Sequence, residues 1–201
     1  MEGMAIFFQH CSVPYCKREA ISFLDRCADH LDPNDQQLSE VFRLLQSQPN
    51  WEGLNLRRLH FKNLQLEQHH FENCYFNGAR FDNVNFQNCQ FTNCFFDFSN
   101  WRDCNLSHSR FMFCCLAGSK FDSIQWTNSD LLHTNFNGCR FTKVDFHSSD
   151  LYFSRMISAQ FQSVDLKDCN LKRVMFQDTN LPNETVSMRY SNDEEAEWQW
   201  K

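Results

Sequence analysis

The sequence predicts an all-β solenoid, in which short extended steps wind into stacked coils. Every fifth residue from Trp51 to Leu181 is apolar, at 27 consecutive positions. The residue two before each of these centres is small or aliphatic almost throughout, with His69 as the clear exception. A period of five fits neither a 3.6-residue helix nor an alternating strand, but it fits an extended step that ends in a corner.

Each residue of the five-residue step has an expected direction. The apolar centre and the small residue two before it should point inward, the residue between them should point outward, and the next two should turn the chain. Those outward and turning positions are rich in Asn, Asp, Gln, Lys and Arg. Successive coils should then stack at the strand spacing of ~4.8 Å, while the spacing alone leaves the number of sides per coil open.

The pattern resembles the pentapeptide-repeat family, whose motif is a small residue, Asn or Asp, Leu or Phe, and then two polar residues. The segments Ser129-Asp130-Leu131 and Cys169-Asn170-Leu171 match this motif. The resemblance covers residues 49–182, about two thirds of the chain. It implies a right-handed quadrilateral β-helix with four pentapeptides per coil, which gives about six and a half coils and a rod of about 30 Å.

Residues 1–31 are predicted to form a small separate unit that binds zinc. Cys11, Cys16, Cys27 and His30 have the spacing of a Cys3His site in a short zinc-knuckle-like or treble-clef-like module, and His10 is an alternative to His30. Four protein ligands leave no open position for catalysis, so the zinc would be structural. The simpler alternative is that the three cysteines only pack.

Residues 32–48 are predicted to form a helix that caps the first coil. Asp32 suits the N-cap, Pro33 suits the first helical position, and the helix should end near Ser47, before Pro49. One apolar stripe runs along this helix, at Leu38, Val41, Phe42 and Leu45. The stripe covers the open end of the solenoid in our preferred interpretation, and it binds a partner in the alternative.

An exposed apolar corner is the candidate binding site. With four steps per coil, three apolar pairs fall on one corner in successive coils, where the corresponding positions elsewhere are polar; Phe95 lies on the adjoining side, with Tyr75 and Cys115. Contiguous exposed apolar surface of this kind is typical of an interface, although a covering tail is the alternative. We define the apolar corner by the three pairs, which are Met112-Phe113, Leu132-His133 and Tyr152-Phe153.

The remaining cysteines and the chain end lead to two further expectations. Seven cysteines lie in the inward column, and we expect them to be free thiols, although Cys74, Cys94 and Cys114 should stack closely enough for a disulfide as the alternative. Residues 183–201 form an acidic tail that carries Trp198 and Trp200. This tail is interpreted either as a loose end or as a cover for the last coil or the apolar corner.

The sequence favours a non-catalytic protein-interaction scaffold that binds a protein partner or itself through the apolar corner. Residues 51–181 carry 13 Lys/Arg and 13 Asp/Glu, so a nucleic-acid partner is not indicated. Contact of the zinc unit with nucleic acid is a weaker option, because its basic residues Lys17, Arg18 and Arg26 are balanced by three acidic ones. The chain lacks a phosphate-binding glycine loop, a nucleophile elbow and a His-Glu-x-x-His motif, so we expect neither an enzyme nor a small-molecule substrate. Because the sequence has no long apolar run, we expect no membrane partner. We expect a cytoplasmic, bacterial protein.

A DNA-mimicking, gyrase- or topoisomerase-protecting protein is the alternative function. The Phe- and Cys-rich repeats resemble those of the quinolone-resistance and microcin-immunity members of the family, which implies gyrase as a partner. The neutral charge of the repeat segment and its lack of inserted loops depart from that group.

Overall fold

The computed structural model describes residues 8–32 and 34–181, which form a parallel β-solenoid with a covered N-terminal end. Paired strands are parallel and offset by twenty residues, so that Phe81 lies beside Phe61 on one side and Trp101 on the other. Four five-residue steps therefore complete one coil, which confirms the predicted quadrilateral β-helix. The strands are β1 Asn50–Glu52, β2 His60–Lys62, β3 His70–Glu72, β4 Arg80–Asp82, β5 Gln90–Thr92, β6 Asn100–Arg102, β7 Arg110–Met112, β8 Lys120–Gln125, β9 Arg140–Asp145 and β10 Gln160–Asp165.

Two opposite sides of the solenoid carry these strands. One holds the four-stranded sheet β1-β3-β5-β7, and the other holds the six-stranded sheet β10-β9-β8-β6-β4-β2. The remaining two sides are joined by single parallel bridges, such as Tyr75 to Phe95 and Phe95 to Cys115. All four sides therefore keep the same twenty-residue offset, which places equivalent positions of successive coils directly over one another.

Stacked aromatic rings fill the bore of the solenoid. The Phe81 ring is fully buried, and its centroid lies 4.8 Å from that of Phe61 and 3.9 Å from that of Trp101. Around them, small inward side chains donate to carbonyls of the preceding coil, as the Cys89 thiol does to the Leu66 oxygen at 2.7 Å. Burial raises the pKa of Cys89 to about 12, so its thiol stays protonated. The eleven cysteines all lie in the described residues, and no disulfide joins any of them.

The corners depend on left-handed backbone. The second corner residue has a positive φ in every repeat from residue 53 to residue 178. Asn and Gly tolerate this conformation best, which explains why Asn is frequent there. Phe113 and Phe153 adopt it too, at φ 56° and 59°, although it costs a bulky side chain about 1–2 kcal/mol. The turn directs these rings away from the bore, and both are exposed.

Among the described residues, one α-helix, α1, runs from Gln36 to Ser47 and ends where the sequence predicts. The predicted N-cap at Asp32 is wrong, because the cap is Asp35, whose Oδ1 accepts from the Gln37 N–H at 2.8 Å. Asp32 closes a separate turn, in which its Oδ1 accepts from the Asn34 N–H at 2.8 Å. The helix therefore begins later than the sequence suggests.

Helix α1 covers the first coil, as predicted. Its side chains Leu38, Val41 and Leu45 are buried in the same core as the rings of the solenoid. The Leu45 carbonyl accepts from the Trp51 Nε1–H at 3.3 Å and lies 2.9 Å from His69 Nε2. This contact explains the exceptional His69, which stands in the inward column but reaches the end of the cap.

Two expectations fall wholly or partly outside the described residues. The acidic tail 183–201 lies wholly outside the described residues, and the predicted zinc unit lies partly outside them because its first seven residues are not described. Within residues 8–32 and 34–181, no helix combines the length and apolar character needed to cross a bilayer.

Candidate metal centre and apolar surface

A short hairpin-like segment brings Cys11 and Cys16 together. The Cys11 N–H donates to the Arg18 carbonyl at 2.9 Å, and the Cys16 N–H donates to the Val13 carbonyl at 3.1 Å. The tight turn between the two cysteines uses left-handed backbone at Tyr15, where φ is 64°. The Tyr15 side chain is fully exposed as a result.

Cys27 and His30 complete the cluster from the other end of the unit. They lie at the two ends of a single turn, the 3-10 helix Ala28–His30 with Cys27 as its N-cap, in which the His30 N–H donates to the Cys27 carbonyl at 2.9 Å. His30 Nδ1 lies 3.3 Å from the Cys11 sulfur and 3.4 Å from the Cys27 sulfur, and the Cys16 and Cys27 sulfurs are 3.9 Å apart.

These separations are suited to a tetrahedral metal ion. All four ligand atoms lie within 4.8 Å of one another. A tetrahedron with Zn–S bonds of about 2.3 Å and a Zn–N bond of about 2.0 Å has edges of about 3.5–3.8 Å. The Cys3His group that the sequence predicts is therefore brought together and could hold a metal. His10, the alternative ligand, is exposed and is not in the cluster.

The two buried thiols of the cluster differ in acidity. Burial raises the pKa of Cys11, but hydrogen bonds from the Cys27 backbone, the His30 ring and the Val13 backbone outweigh it and lower the pKa to about 6. Burial raises the pKa of Cys27, and its contact with Cys11 raises it further. One thiolate is thus favoured in the free cluster, and the thiolate is the form that binds a metal.

The Cys3His unit also docks on the first coil, which the sequence reasoning missed. Ser22 and Asn55 are joined by two hydrogen bonds of 2.9 Å, one from each backbone N–H. The Asn55 side chain donates to the Ala20 carbonyl at 2.6 Å, and Arg58 pairs with Asp29 at 3.3 Å. The unit therefore covers the edge of the first coil beside α1. Nothing distinguished Asn55 from the many other outward asparagines.

The apolar corner forms one continuous stack. The His133 ring lies between those of Phe113 and Phe153, with centroid distances of 5.1 Å and 5.2 Å and nearly parallel planes. The Arg173 guanidinium lies 5.0 Å from the centroid of the Phe153 ring and extends the stack by one coil. Of the six residues, Phe113, His133 and Phe153 are exposed, and Met112, Leu132 and Tyr152 are half-buried.

The adjoining side adds a second, shorter stack. The Phe95 ring lies 5.1 Å from that of Tyr75, which contacts Phe8 of the N-terminal unit at 5.3 Å. In the next coil, the Cys115 thiol donates to Asp97 Oδ1 at 2.8 Å. Burial raises the pKa of Cys115 to about 11, and the Asp97 carboxylate contributes to the shift. Cys115 is therefore a protonated thiol in a polar contact.

Phe98 is an exposed aromatic residue that the sequence reasoning missed. Its side chain is 72% exposed, and its ring lies across Gly118, where a Cβ would stand only 2.7 Å from it. The available signal was Gly118 and Gly138, which occupy the same corner position as Phe98 in the next two coils. A missing side chain there leaves room for the ring.

The family model for the pentapeptide repeat region matches residues 65–135 and 119–198. The chain belongs to the pentapeptide-repeat family. Curated protein sequences gave no match. Among solved structures, trypsin-treated M102R QnrB1, a plasmid-mediated fluoroquinolone resistance protein, is similar at 14% identity and a TM-score of 0.43, covering 69% of this chain and 86% of that one. Rfr23 from the cyanobacterium Cyanothece 51142 is similar at 12% identity and a TM-score of 0.40, covering 71% and 97%.

Proposed function

We propose that this protein is a non-catalytic scaffold that binds a protein partner, or a second copy of itself, through the apolar corner. The observation that carries this proposal is the stack of Phe113, His133 and Phe153 on the outside of the solenoid, at a corner that is polar in the preceding coil, where Thr92 and Asn93 stand. Exposed contiguous apolar surface favours an interface, and aromatic side chains are enriched among the residues that dominate binding energy.

A polar residue suits the backbone of this corner at least as well as phenylalanine does. Asn93 occupies the equivalent position one coil before Phe113 and adopts the same backbone, with φ 53° against 56°. Because Asn tolerates this conformation better than Phe, Phe113 has a backbone cost that its half-exposed ring offsets only in part. A binding role explains its presence where a folding role does not.

The outward carboxylates serve the corners, which supports a non-catalytic role. Asp145 Oδ1 accepts from the His147 N–H at 2.9 Å, and Asp165 Oδ1 accepts from the Lys167 N–H at 2.7 Å. Each carboxylate closes a local turn two residues long, as Asp side chains commonly do. Their regular placement follows from the repeat, and no substrate is needed to explain it.

The scaffold proposal is tested by a double substitution with a matched control. Phe113→Asn with Phe153→Asn removes two rings and keeps a residue suited to the left-handed corner. Ser123→Asn with Ser163→Asn introduces the same residue at the opposite corner of the same two coils, at φ 58° and 55°, without removing a ring. The first pair should abolish pull-down of host proteins and self-association in sedimentation, and the control pair should not. Unchanged profiles in the first pair would contradict the proposal.

We further propose that zinc occupies the Cys3His cluster in a structural role. Three sulfurs and one imidazole at tetrahedral separations support it, and four protein ligands would leave no position for a substrate. Protein purified without added metal should contain about one equivalent of zinc, Cys27→Ser should lose it, and Cys115→Ser should keep it. Less than about 0.3 equivalents in the unmodified protein would refute zinc, given how tightly such sites bind.

The gyrase-protection alternative is not adopted, because the charge of the repeat segment does not favour it. A DNA mimic presents phosphate-like negative charge, whereas residues 51–181 carry 13 basic and 13 acidic side chains. We expect no effect on gyrase supercoiling at micromolar protein, with or without a quinolone. Protection or inhibition in that assay would favour the alternative function instead.

A further inference from the structure

We propose that the acidic segment 183–201 is a built-in ligand of the apolar corner and docks on it within the same chain. The inference rests on the proposed function in taking the apolar corner as a binding surface, and it requires no external partner. Its consequence is regulatory, because a partner protein would have to displace the segment before it could bind.

The acidic segment 183–201 and the apolar corner are chemically complementary. Residues 183–201 carry five acidic and two basic side chains, together with Met188, Tyr190, Trp198 and Trp200. The C-terminal end of the apolar corner carries cationic groups, because Arg173 lies 5.0 Å from the centroid of the Phe153 ring. Arg155, two residues after Phe153, and Lys172, one coil after Tyr152, are exposed as well. Acidic groups next to tryptophan rings match cationic groups next to exposed phenylalanine rings.

The segment 183–201 is attached close enough to the apolar corner to reach it. Leu181 lies in the coil after that of Phe153 and three coils after that of Phe113, so the corner extends about 14 Å back along the axis at the strand spacing. Trp198 follows Leu181 by 17 residues, which span up to about 56 Å when extended and about 23 Å as a flexible chain. The segment therefore reaches the whole corner from its own attachment point.

Attachment also favours docking within the chain over docking between chains. A short tether holds its ligand at an effective concentration in the millimolar range. A weak interaction with a dissociation constant of about 0.3 mM would then keep the segment bound about three quarters of the time. The same affinity between two molecules would be negligible at micromolar protein, so the tethered arrangement dominates.

The tryptophans provide a direct readout in the full chain. Trp51, Trp101 and Trp126 are buried, at 7%, 2% and 0% exposure, so a collisional quencher such as acrylamide reaches them poorly. Subtracting the signal of a Trp198→Phe, Trp200→Phe variant isolates the quenching of the two tail tryptophans. A bound fraction of three quarters predicts a quenching constant about fourfold below that of a synthetic peptide of residues 183–201.

The variants already described provide the controls. Phe113→Asn with Phe153→Asn should raise the tail quenching constant to the peptide value, and Ser123→Asn with Ser163→Asn should leave it low. Circular dichroism melts of both pairs establish that each variant is folded. Added salt should raise the quenching constant of the unmodified chain, because exposed charge pairs are screened.

Three results would overturn the inference. The first is a quenching constant of the tail tryptophans equal to that of the peptide, and the second is equal shielding in both variant pairs. The third is shielding that increases with protein concentration, because the segment would then bind the apolar corner of a second copy. Full quenching together with partner capture that depends on Phe113 and Phe153 would refute the built-in ligand and leave the proposed function standing. Low quenching that only the Phe113 and Phe153 variant relieves would support it.

Discussion

Replacing Phe81 with alanine tests whether the bore is held by the stacked rings. Phe81 is fully buried, between Phe61 at 4.8 Å and Trp101 at 3.9 Å, with the Phe86 ring edge-on at 5.7 Å. A buried Phe→Ala change costs about 3–5 kcal/mol, and aromatic pairs add about 0.5–1.5 kcal/mol each beyond their buried area. With two close stacking partners, we expect a loss of about 5 kcal/mol in the free energy of unfolding.

Phe98→Ala is the matched control for this substitution. The same atoms are removed, but the Phe98 side chain is 72% exposed, and Phe and Ala both carry a Cβ at its left-handed backbone. Surface substitutions of this kind change stability by about 0.5 kcal/mol or less. The contrast between Phe81 and Phe98 therefore isolates the contribution of the stack.

Urea unfolding provides the measurement, monitored by circular dichroism for the strands and by tryptophan fluorescence, to which Trp101 beside the altered site contributes. Coincidence of the two transitions is required, because repeat proteins lose cooperativity when one region opens alone. Phe81→Leu, with a smaller expected loss, replaces the alanine variant if that variant does not fold. A loss below about 1 kcal/mol at Phe81, or an equal loss at Phe98, would refute the stacked-bore account.

Two further predictions concern the cap and the buried tryptophans. Removing zinc by chelation, or by Cys27→Ser, should release the Cys3His unit from the first coil and speed limited proteolysis before residue 32. The circular dichroism of the solenoid should persist. Unchanged cleavage would contradict a structural zinc. Trp126 Nε1 is buried with no acceptor among the described residues, whereas Trp101 Nε1 donates to Ser99 Oγ at 2.7 Å. Trp126→Phe should therefore cost at least about 1 kcal/mol less than Trp101→Phe in urea unfolding, and equal losses would contradict this reasoning.

The repeat made the fold predictable, because one rule applies at every coil. Centres such as Phe81 and small inward residues such as Cys89 each have one direction in a five-residue step, and the family resemblance supplied the four sides. The offset then placed Phe113, His133 and Phe153 on one corner, and the structure confirms that they stack. Their binding role stays a prediction.

The unpredicted features depend on contacts between segments that follow no period. Asp32 and Asp35 are both good N-caps, and the choice between them is made by local turn geometry. The hydrogen bonds between Ser22 and Asn55 join two parts of the chain whose relative placement no local pattern encodes. Phe98 stands at an outward corner position that the period does indicate, and it was missed because no second aromatic residue follows it at that corner, where Gly118 and Gly138 stand instead.

Side-chain footprinting with hydroxyl radicals reports which surface a captured partner covers, and therefore whether the apolar corner is the binding site. Phe113 and Phe153 are 55% and 38% exposed, and Tyr15 and Phe23 of the N-terminal unit are exposed on a different part of the molecule. We expect the partner, or a second copy, to lower the oxidation of Phe113 and Phe153 and to leave that of Tyr15 and Phe23 unchanged. Protection of Tyr15 and Phe23 with unchanged oxidation at the apolar corner would contradict this expectation.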